Sequence, residues 1–218
     1  MEKTKYFTEA TINDIAISMY HKLDIKLDLH KGQLIPTKTA LLILDMQEFF
    51  HNEYSHAFIP SAQAVIKPIK TLTNLFINNN LTIITTKHIN TKVNAKQMDY
   101  WWRDILTKDS EYSQIIADFD LPQAGLITKT QYDTFYNTNL NEILQKNNIT
   151  QLIITGVMTH LCCETTARSA FVRGYNVFFP IDGTATYNED FHTASLTNLA
   201  HGFVNITTIK DLVDSFNG

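Results

Sequence analysis

The chain has 218 residues, of which 44% are hydrophobic and 18% charged, and its formal net charge is −4. This composition supports one folded domain with a full core and excludes a disordered chain. The acidic balance, with no dense Lys/Arg cluster, argues against a nucleic acid partner. Because apolar runs are too short for a bilayer and the N-terminus lacks a signal-peptide core, we expect a cytoplasmic protein with no membrane contact.

Residues 1–36 carry the weakest pattern. Ala10–His21 fits an amphipathic helix, and Leu23–Leu29 alternates apolar and charged residues as a strand does. We expect residues 1–36 to form an arm that packs on the core or on a second subunit. Residues 37–218 are then predicted to form the main domain.

Ala40–Leu44 is predicted to be the first buried strand, and Asp45 follows it directly. An acidic residue in this position lies at the carboxyl edge of the sheet, where ligands bind in open α/β folds. The alternative interpretation is a helix or turn cap. Gln47 and Phe50 come next, and Ser61–Ile77 is predicted to be a helix.

A second buried strand is predicted at Leu81–Thr86 and is followed closely by His88. This histidine faces either the same cleft or solvent. The polar and aromatic excursion Asn90–Gly125 contains Trp101 and Trp102. Long connections of this kind are often lids or binding loops, although tryptophans more often serve as packing anchors.

Leu126–Thr128 is predicted to be a short third strand that leads to Lys129. A helix is predicted at Asn139–Asn147. The remaining strands are predicted at Gln151–Thr155, Asn176–Phe179 and Val204–Thr207, with helices at Asp190–Phe203 and Asp211–Phe216. This alternation predicts an α/β fold with a mainly parallel, doubly wound sheet of six strands.

Cys162 and Cys163 are the two cysteines of the chain. Adjacent cysteines rarely form a disulfide, and the absence of a CxxC pair excludes a zinc knuckle or thioredoxin-like motif. They are either small buried hydrophobes or, for Cys162, a reactive thiol. The predicted strand, turn and helix place Cys162 near a helix N-terminus, which would lower its pKa and favour the thiolate.

Asp45, Lys129 and Cys162 follow three different predicted strands. Because the carboxyl ends of parallel strands share one edge of a sheet, these side chains can converge. A carboxylate there could accept the thiol proton, and a lysine would favour both anions. Backbone N–H groups of the turn before the helix could then hold a developing oxyanion.

Three motifs together resemble the isochorismatase-like hydrolase superfamily: DMQ at Asp45–Gln47, TKTQYDTF at Thr128–Phe135 and TGVMTHLCCETTARSAF at Thr155–Phe171. The resemblance runs from about Ala40 to the C-terminus. It implies a three-layer α/β/α Rossmann-like fold. The family includes isochorismatases and cysteine amidohydrolases such as nicotinamidase, carbamoylsarcosine amidase and maleamate-type amidases.

In the cysteine branch, the resemblance assigns the catalytic roles to Asp45, Lys129 and Cys162. It also implies a non-proline cis peptide at Val157–Met158, with the amides of Met158 and Cys162 as the oxyanion hole. The family commonly forms dimers and tetramers, so we expect a homodimer or homotetramer.

Two features differ from these relatives. Metal-dependent nicotinamidases carry an Asp-x-His pair and a further His after the second strand, and Lys87–Asn90 offers no such set. We therefore expect no metal and no cofactor, which argues against nicotinamidase activity. Isochorismatases usually have glycine where this chain has Cys162. Against this, His160, the aromatic insertion Tyr100–Trp102 and the TKxxY–F sequence look isochorismatase-like.

The leading hypothesis is a cysteine hydrolase that cleaves the C–N bond of a small amide. The alternatives are an isochorismate pyruvate-hydrolase, with Asp45 as the general acid toward a vinyl ether, and a non-catalytic binding module. An apolar-aromatic pocket with two histidines suits a small planar molecule, anionic ones included. The candidate substrate-binding residues are Gln47, Phe50, His88, Trp101, Trp102, Phe135 and His160.

Overall fold

The computed structural model describes residues 2–23 and 32–217, and a parallel sheet of seven strands forms its centre. The strands are β1 (Thr39–Leu44), β2 (Thr82–His88), β3 (Gly125–Lys129), β4 (Gln151–Val157), β5 (Asn176–Pro180), β6 (Thr184–Ala185) and β7 (Asn205–Thr207). The helices are α1 (Ile12–Lys22), α2 (Glu48–His51), α3 (Ala62–Asn78), α4 (Lys92–Ala95), α5 (Gln97–Trp101), α6 (Leu140–Lys146), α7 (Glu164–Val172), α8 (Glu189–Gly202) and α9 (Ile209–Asn217).

The strands follow the order β3-β2-β1-β4-β5-β7, and β6 pairs with β4. Every pairing is parallel. The predicted α/β class is confirmed, but the predicted count of six strands is wrong. The missed strand, β6, has two residues and pairs with Gly156 and Val157 beyond the end of the β4–β5 ladder. A strand this short has no alternation that a sequence pattern can detect.

The central strands β1 and β4 are buried along their whole length. A parallel sheet covered on both faces requires such continuous apolar runs, which is why Ala40–Leu44 and Leu152–Ile154 contain only aliphatic side chains. Gly156 lies where β4 approaches β1 most closely. Its φ is +107°, and a Cβ there would lie 2.1 Å from the Leu44 carbonyl oxygen, so only glycine fits.

The direction in which successive strands are added to the sheet reverses between β1 and β4. From β1 the chain proceeds through α3 to β2 on one side, whereas from β4 it proceeds through α7 to β5 on the other. Because such crossovers are right-handed, α3 and α7 lie on opposite faces of the sheet. α9 packs against α3, and α8 packs against α7. The boundary between β1 and β4 is therefore a topological switch point, where ligands bind in folds of this type.

The N-terminal arm packs on the main domain through Phe7, Ile12, Ala16 and Met19, all buried in the hydrophobic core. The helix predicted at Ala10–His21 is α1. Apart from Leu23, the predicted strand Leu23–Leu29 lies outside the described residues. Within those residues, no helix combines the length and hydropathy that crossing a membrane requires.

Candidate active site

Asp45 leaves β1 at the switch point with a φ of +53°, in the left-handed region that non-glycine residues rarely occupy. Its side chain is completely buried. The hydroxyl of Thr86, near the end of β2, donates a 2.6 Å hydrogen bond to Asp45 Oδ1 and accepts one of 3.0 Å from the Asp45 amide. Carboxylate Oδ1 is thereby satisfied, and Oδ2 is left to face the remaining polar groups.

Lys129, the last residue of β3, is buried with its ammonium among three acceptors. Its Nζ lies 2.7 Å from Asp45 Oδ2, 3.2 Å from Cys162 Sγ and 3.1 Å from the Gln131 carbonyl oxygen. The contact with Asp45 is an ion pair, and those with Cys162 and the Gln131 carbonyl oxygen are hydrogen bonds. The structure therefore brings together the three side chains predicted to carry the chemistry, and we call them the triad.

Cys162 lies in a single π-helical turn, Thr159–Cys163, between β4 and α7. The Val157–Met158 peptide bond that precedes this turn is cis. Cys162 is the triad member that lines a cavity, whereas Cys163 is fully buried in the core. The two neighbouring thiols thus occupy different environments.

The ionisation of the triad follows from burial and mutual attraction. Burial is the largest single effect on Asp45 and would raise its pKa, but the Lys129 ammonium together with the other neighbouring groups outweighs burial, so this pKa lies below its ordinary value. Burial would lower the pKa of Lys129, but Asp45 and Cys162 outweigh it and raise that pKa. At rest the triad holds a carboxylate and an ammonium.

The prediction that the helix start lowers the pKa of Cys162 is wrong. Burial and the neighbouring Asp45 carboxylate raise the pKa of this thiol to about 12, and the opposing effect of Lys129 is smaller. The α-helix begins only at Glu164, so the thiol lies in the π-helical turn that precedes the helix. Cys162 is therefore a neutral thiol beside a carboxylate that can accept its proton.

The cavity above Cys162 has a volume of about 50 Å³ and a mainly apolar lining. Loop residues supply most of it, and we call the aromatic and imidazole part the cavity wall. The cavity wall consists of Phe49, Phe50, His56, Trp102, Tyr132 and Tyr187. The indole N–H of Trp102 donates a 2.7 Å hydrogen bond to the Tyr132 hydroxyl, which fixes both rings.

His88 contributes a buried acceptor beside the triad. Asn90 Nδ2 donates to the Thr130 carbonyl oxygen at 2.9 Å, so Asn90 Oδ1 faces His88 Nε2 at 2.7 Å. Nε2 must carry the ring proton, which leaves Nδ1 with a lone pair. Burial and Lys129 lower the pKa of His88 to about 4, so the ring is neutral. Nδ1 is buried without a hydrogen-bond partner among the described residues.

Of the seven predicted substrate-binding residues, the structure brings Phe50, His88 and Trp102 to the cavity. Trp101 is not brought there: it ends α5 with 75% of its surface exposed. Phe135 stacks on Tyr175 and lies under the Arg173 guanidinium instead. In both cases the loop conformation, which the sequence does not reveal, turns the ring away.

Gln47 and His160 support neighbouring groups instead of lining the cavity. Gln47 is buried, accepts from the His88 amide at 2.7 Å and donates to the His88 carbonyl oxygen at 3.2 Å, so it holds the end of β2. His160 stacks on Phe191 and hydrogen-bonds to the Thr186 hydroxyl.

Sequence reasoning missed Thr86, Asn90, Tyr132, His56 and Tyr187. Thr86 carried a usable signal, because it precedes the end of β2 beside the strand that delivers Asp45. The others lie in loops. Among the described residues, no group of three or more His, Cys, Asp or Glu side chains is arranged to hold a metal ion.

Comparison with known proteins identifies the family to which the sequence is similar. The sequence model of the isochorismatase domain matches residues 39–211. The chain is 34% identical over 184 residues to Nicotinamidase 3 of Arabidopsis thaliana, an alignment that covers 82% of this chain and 89% of that protein. It is 29% identical over 165 residues to the Isochorismatase of Bacillus subtilis (strain 168), covering 74% of this chain and 52% of the relative.

A solved structure supports the fold independently. A cysteine hydrolase from Pseudomonas syringae pv. phaseolicola 1448A superposes with a TM-score of 0.78 at 23% sequence identity, covering 87% of this chain and 97% of that one. This likeness shows the predicted three-layer architecture. The family match begins at residue 39, so the N-terminal arm lies before the matched region.

Proposed function

The chain belongs to the isochorismatase family of hydrolases, and from this premise we propose that it hydrolyses the C–N bond of a small neutral amide with Cys162 as the nucleophile. One observation carries the proposal. The Lys129 ammonium lies 2.7 Å from Asp45 and 3.2 Å from Cys162, in a buried site that opens on a small cavity. A candidate nucleophile, a base and a cation therefore lie within contact distance of one another beside the cavity.

In the first half of the reaction, Sγ of Cys162 attacks the amide carbon while Asp45 accepts the thiol proton. Oδ2 is the oxygen for this role, because Oδ1 already accepts from Thr86. Lys129 stays protonated and stabilises the negative charge as it moves from carboxylate to sulfur. The amides of Met158 and Cys162 are the proposed donors to the tetrahedral oxyanion.

Collapse of the tetrahedral intermediate breaks the C–N bond. The proton held by Asp45 passes to the departing nitrogen, which leaves as ammonia or an amine, and a thioester remains on Cys162. Asp45, again a carboxylate, then takes a proton from water as that water attacks the thioester. The carboxylic acid product leaves, and the proton returns to sulfur.

Two features of the cavity support a neutral amide. The lone pair on His88 Nδ1 lacks a hydrogen-bond partner among the described residues, and an amide N–H would satisfy it. The apolar wall and the small volume suit a compact planar molecule. The missing Asp-x-His set predicts that nicotinamide is not the substrate, and this stays a prediction. The similarity to Nicotinamidase 3 nevertheless makes nicotinamide the first amide to test.

Isochorismate cleavage is the second candidate, favoured by the similarity to the Isochorismatase of Bacillus subtilis. The charge of the cavity opposes it. Asp104 is the one Asp, Glu, Lys or Arg among the described lining residues, and it is acidic. Isochorismate carries two carboxylates, which such a lining would repel. Lys129 does not compensate, because its positive charge is already paired with the Asp45 carboxylate at 2.7 Å.

A substrate panel on wild type and Cys162→Ala tests the proposal. The panel contains nicotinamide as the neutral amide, N-carbamoylsarcosine and maleamate as amide-type compounds that carry a carboxylate, and isochorismate, with ammonia and pyruvate release as readouts. The charge of the lining predicts slower turnover of the two compounds with a carboxylate than of a neutral amide of similar size. We expect ammonia release from an amide that disappears in Cys162→Ala. Pyruvate release from isochorismate that survives in Cys162→Ala would overturn the proposal in favour of acid catalysis by Asp45.

A further inference from the structure

The N-terminal segment Glu2–Phe7, which we call the strap, crosses between two loops that build the cavity wall. The first wall loop is His56–Ser61, which provides His56 to the wall. The second wall loop is Thr186–Asn188, which provides Tyr187. These loops are far apart in the sequence, and the strap hydrogen-bonds to both of them.

Lys3 makes the central contacts of the strap. Its ammonium donates to the carbonyl oxygens of His56 at 2.5 Å and Phe58 at 2.9 Å. The same Nζ lies 4.2 Å from the centre of the Tyr187 ring. One side chain therefore joins both wall loops, through two charge-assisted hydrogen bonds and a cation–π contact.

Further hydrogen bonds, from residues that follow Lys3, hold the strap on both wall loops. On the second wall loop, the Thr4 amide donates to the Tyr187 carbonyl oxygen at 2.8 Å, and the Thr186 amide donates to the Tyr6 hydroxyl at 3.0 Å. On the first wall loop, the amides of Tyr6 and Phe7 both donate to Ser61 Oγ at 3.0 Å. The strap is thus a bound part of the site and not a loose terminus.

We propose that Lys3 is a positioning residue that fixes the separation of the two wall loops and thereby limits the size of molecule that reaches Cys162. The loops that it joins present His56 and Tyr187 to a cavity of about 50 Å³, so a small change in their separation is a large fraction of the available space. The strap precedes the family-matched region 39–211, so this selection is added to the shared site. The proposal rests on the proposed function only in taking this cavity as the substrate site.

The test compares Lys3→Met with Lys3→Arg and a matched control, Lys5→Met. Methionine keeps a similar apolar stem but removes the charge and all three contacts, whereas arginine keeps the charge and the donors. Lys5 lies on the same strap, is exposed, and forms no hydrogen bond or ion pair with the described residues. The full chain is used throughout.

The first readout is the alkylation rate of Cys162, measured by peptide mass spectrometry with iodoacetamide and with the bulkier fluorescein maleimide. We expect Lys3→Met to raise the maleimide rate about tenfold, the effect of losing about one charge-assisted hydrogen bond on loop opening. The iodoacetamide rate should change much less. Lys5→Met and Lys3→Arg should match wild type.

Cys163 serves as an internal reporter of unfolding, because it is buried in the core. Labelling of Cys163 together with Cys162 in Lys3→Met would mean general destabilisation and would overturn the positioning role. Equal maleimide rates in Lys3→Met and Lys5→Met would overturn it as well.

Hydrogen exchange of peptides that span residues 55–61 and 184–190 gives a second readout that needs no reactive thiol. Faster exchange of both peptides in Lys3→Met, with Lys5→Met unchanged, supports the strap even if Cys162 resists alkylation in every variant. That resistance would reflect the raised pKa of the buried Cys162 thiol and would not count against Lys3. Unchanged exchange of both peptides would refute the strap.

Discussion

The triad and the cavity wall are built in contrasting ways. Asp45 and Lys129 lie at the ends of β1 and β3, Cys162 lies in the π-helical turn after β4, and all three are buried. The wall comes mainly from loops, with Phe49 and Phe50 from the short helix α2, and the strap connects two of these loops. Strand ends hold side chains at fixed separations, as a reaction requires, whereas loops are free to vary with the molecule they enclose. We therefore assign the reaction to the triad and the choice of substrate to the cavity wall.

Two pairs of adjacent residues make this contrast testable. Cys162 faces the cavity and Cys163 the core; Trp102 lines the wall and Trp101 is exposed. In each pair the neighbour has the same chemistry but lies outside the site. The sequence itself therefore provides a control for each substitution.

The largest expected effect is on the triad. Cys162→Ala should lower kcat by about 10⁴-fold or more, because no other group in the cavity can form the thioester. Cys163→Ala should leave kcat within about twofold and affect mainly stability, through a lost buried sulfur. Steady-state kinetics on the amide identified by the panel measures both. Comparable losses in the two variants would show that the cysteines matter only for packing.

Asp45→Asn separates proton acceptance from thiol activation. We expect kcat to fall by about 10³-fold, because the general base is lost. The rate of Cys162 alkylation at pH 8 should nevertheless rise, because the Asp45 carboxylate is a cause of the raised thiol pKa and Lys129 remains to favour the thiolate. Timed iodoacetamide labelling measures this. A slower alkylation in Asp45→Asn would mean that, in the resting wild type, the Asp45 carboxylate promotes formation of the Cys162 thiolate.

On the wall, Trp102→Ala should raise KM about tenfold while kcat changes less, because the ring lines the cavity and orients Tyr132. Trp101→Ala should leave both parameters within about twofold, since its ring is mostly exposed. Michaelis–Menten parameters for both variants decide the matter. If Trp101→Ala raised KM as much as Trp102→Ala, the loop between β2 and β3 would fold differently from the structure.

The last prediction concerns the pH dependence of stability and not the rate of turnover. Burial lowers the pKa values of His51 and His88 to about 4 and that of His192 to about 3, so the folded state keeps these rings neutral. Between pH 6.5 and about 4 the unfolded chain binds more protons, so stability falls as the pH falls. The loss is at most about 1.4 kcal/mol per pH unit for each ring. Urea unfolding at pH 6.5, 5.5 and 4.5 measures it, and an unchanged free energy of unfolding would contradict the burial.

The positions of the triad residues were predictable because the order and direction of the strands are enough to place residues that follow them. Asp45, Lys129 and Cys162 each follow an apolar run, and parallel topology brings such positions to one edge. The ionisation of Cys162 was not predictable, because it depends on the distance to Asp45 and on the depth of burial. Both quantities are tertiary, and they outweigh the local effect of a helix start.

The wall was only partly predictable for a related reason. The choice between Trp101 and Trp102 depends on how the chain turns between α4 and α5, where Lys96 takes a φ of +52°. The residues of Lys92–Trp101 do not predict that turn, because lysine rarely adopts the left-handed backbone conformation. The role of Lys3 was likewise hidden, since its acceptors are backbone carbonyls more than fifty positions away.

The central claim is that Cys162 becomes acylated after Asp45 accepts the thiol proton and passes it to the departing nitrogen. Rapid acid quench of the wild type during turnover of the amide substrate, followed by peptide mass spectrometry, tests it most directly. The account predicts the acyl mass on the peptide that carries Cys162, and none on that peptide in Cys162→Ala. Steady turnover by Cys162→Ala, with no acyl mass on the wild-type peptide at any quench time, would contradict it.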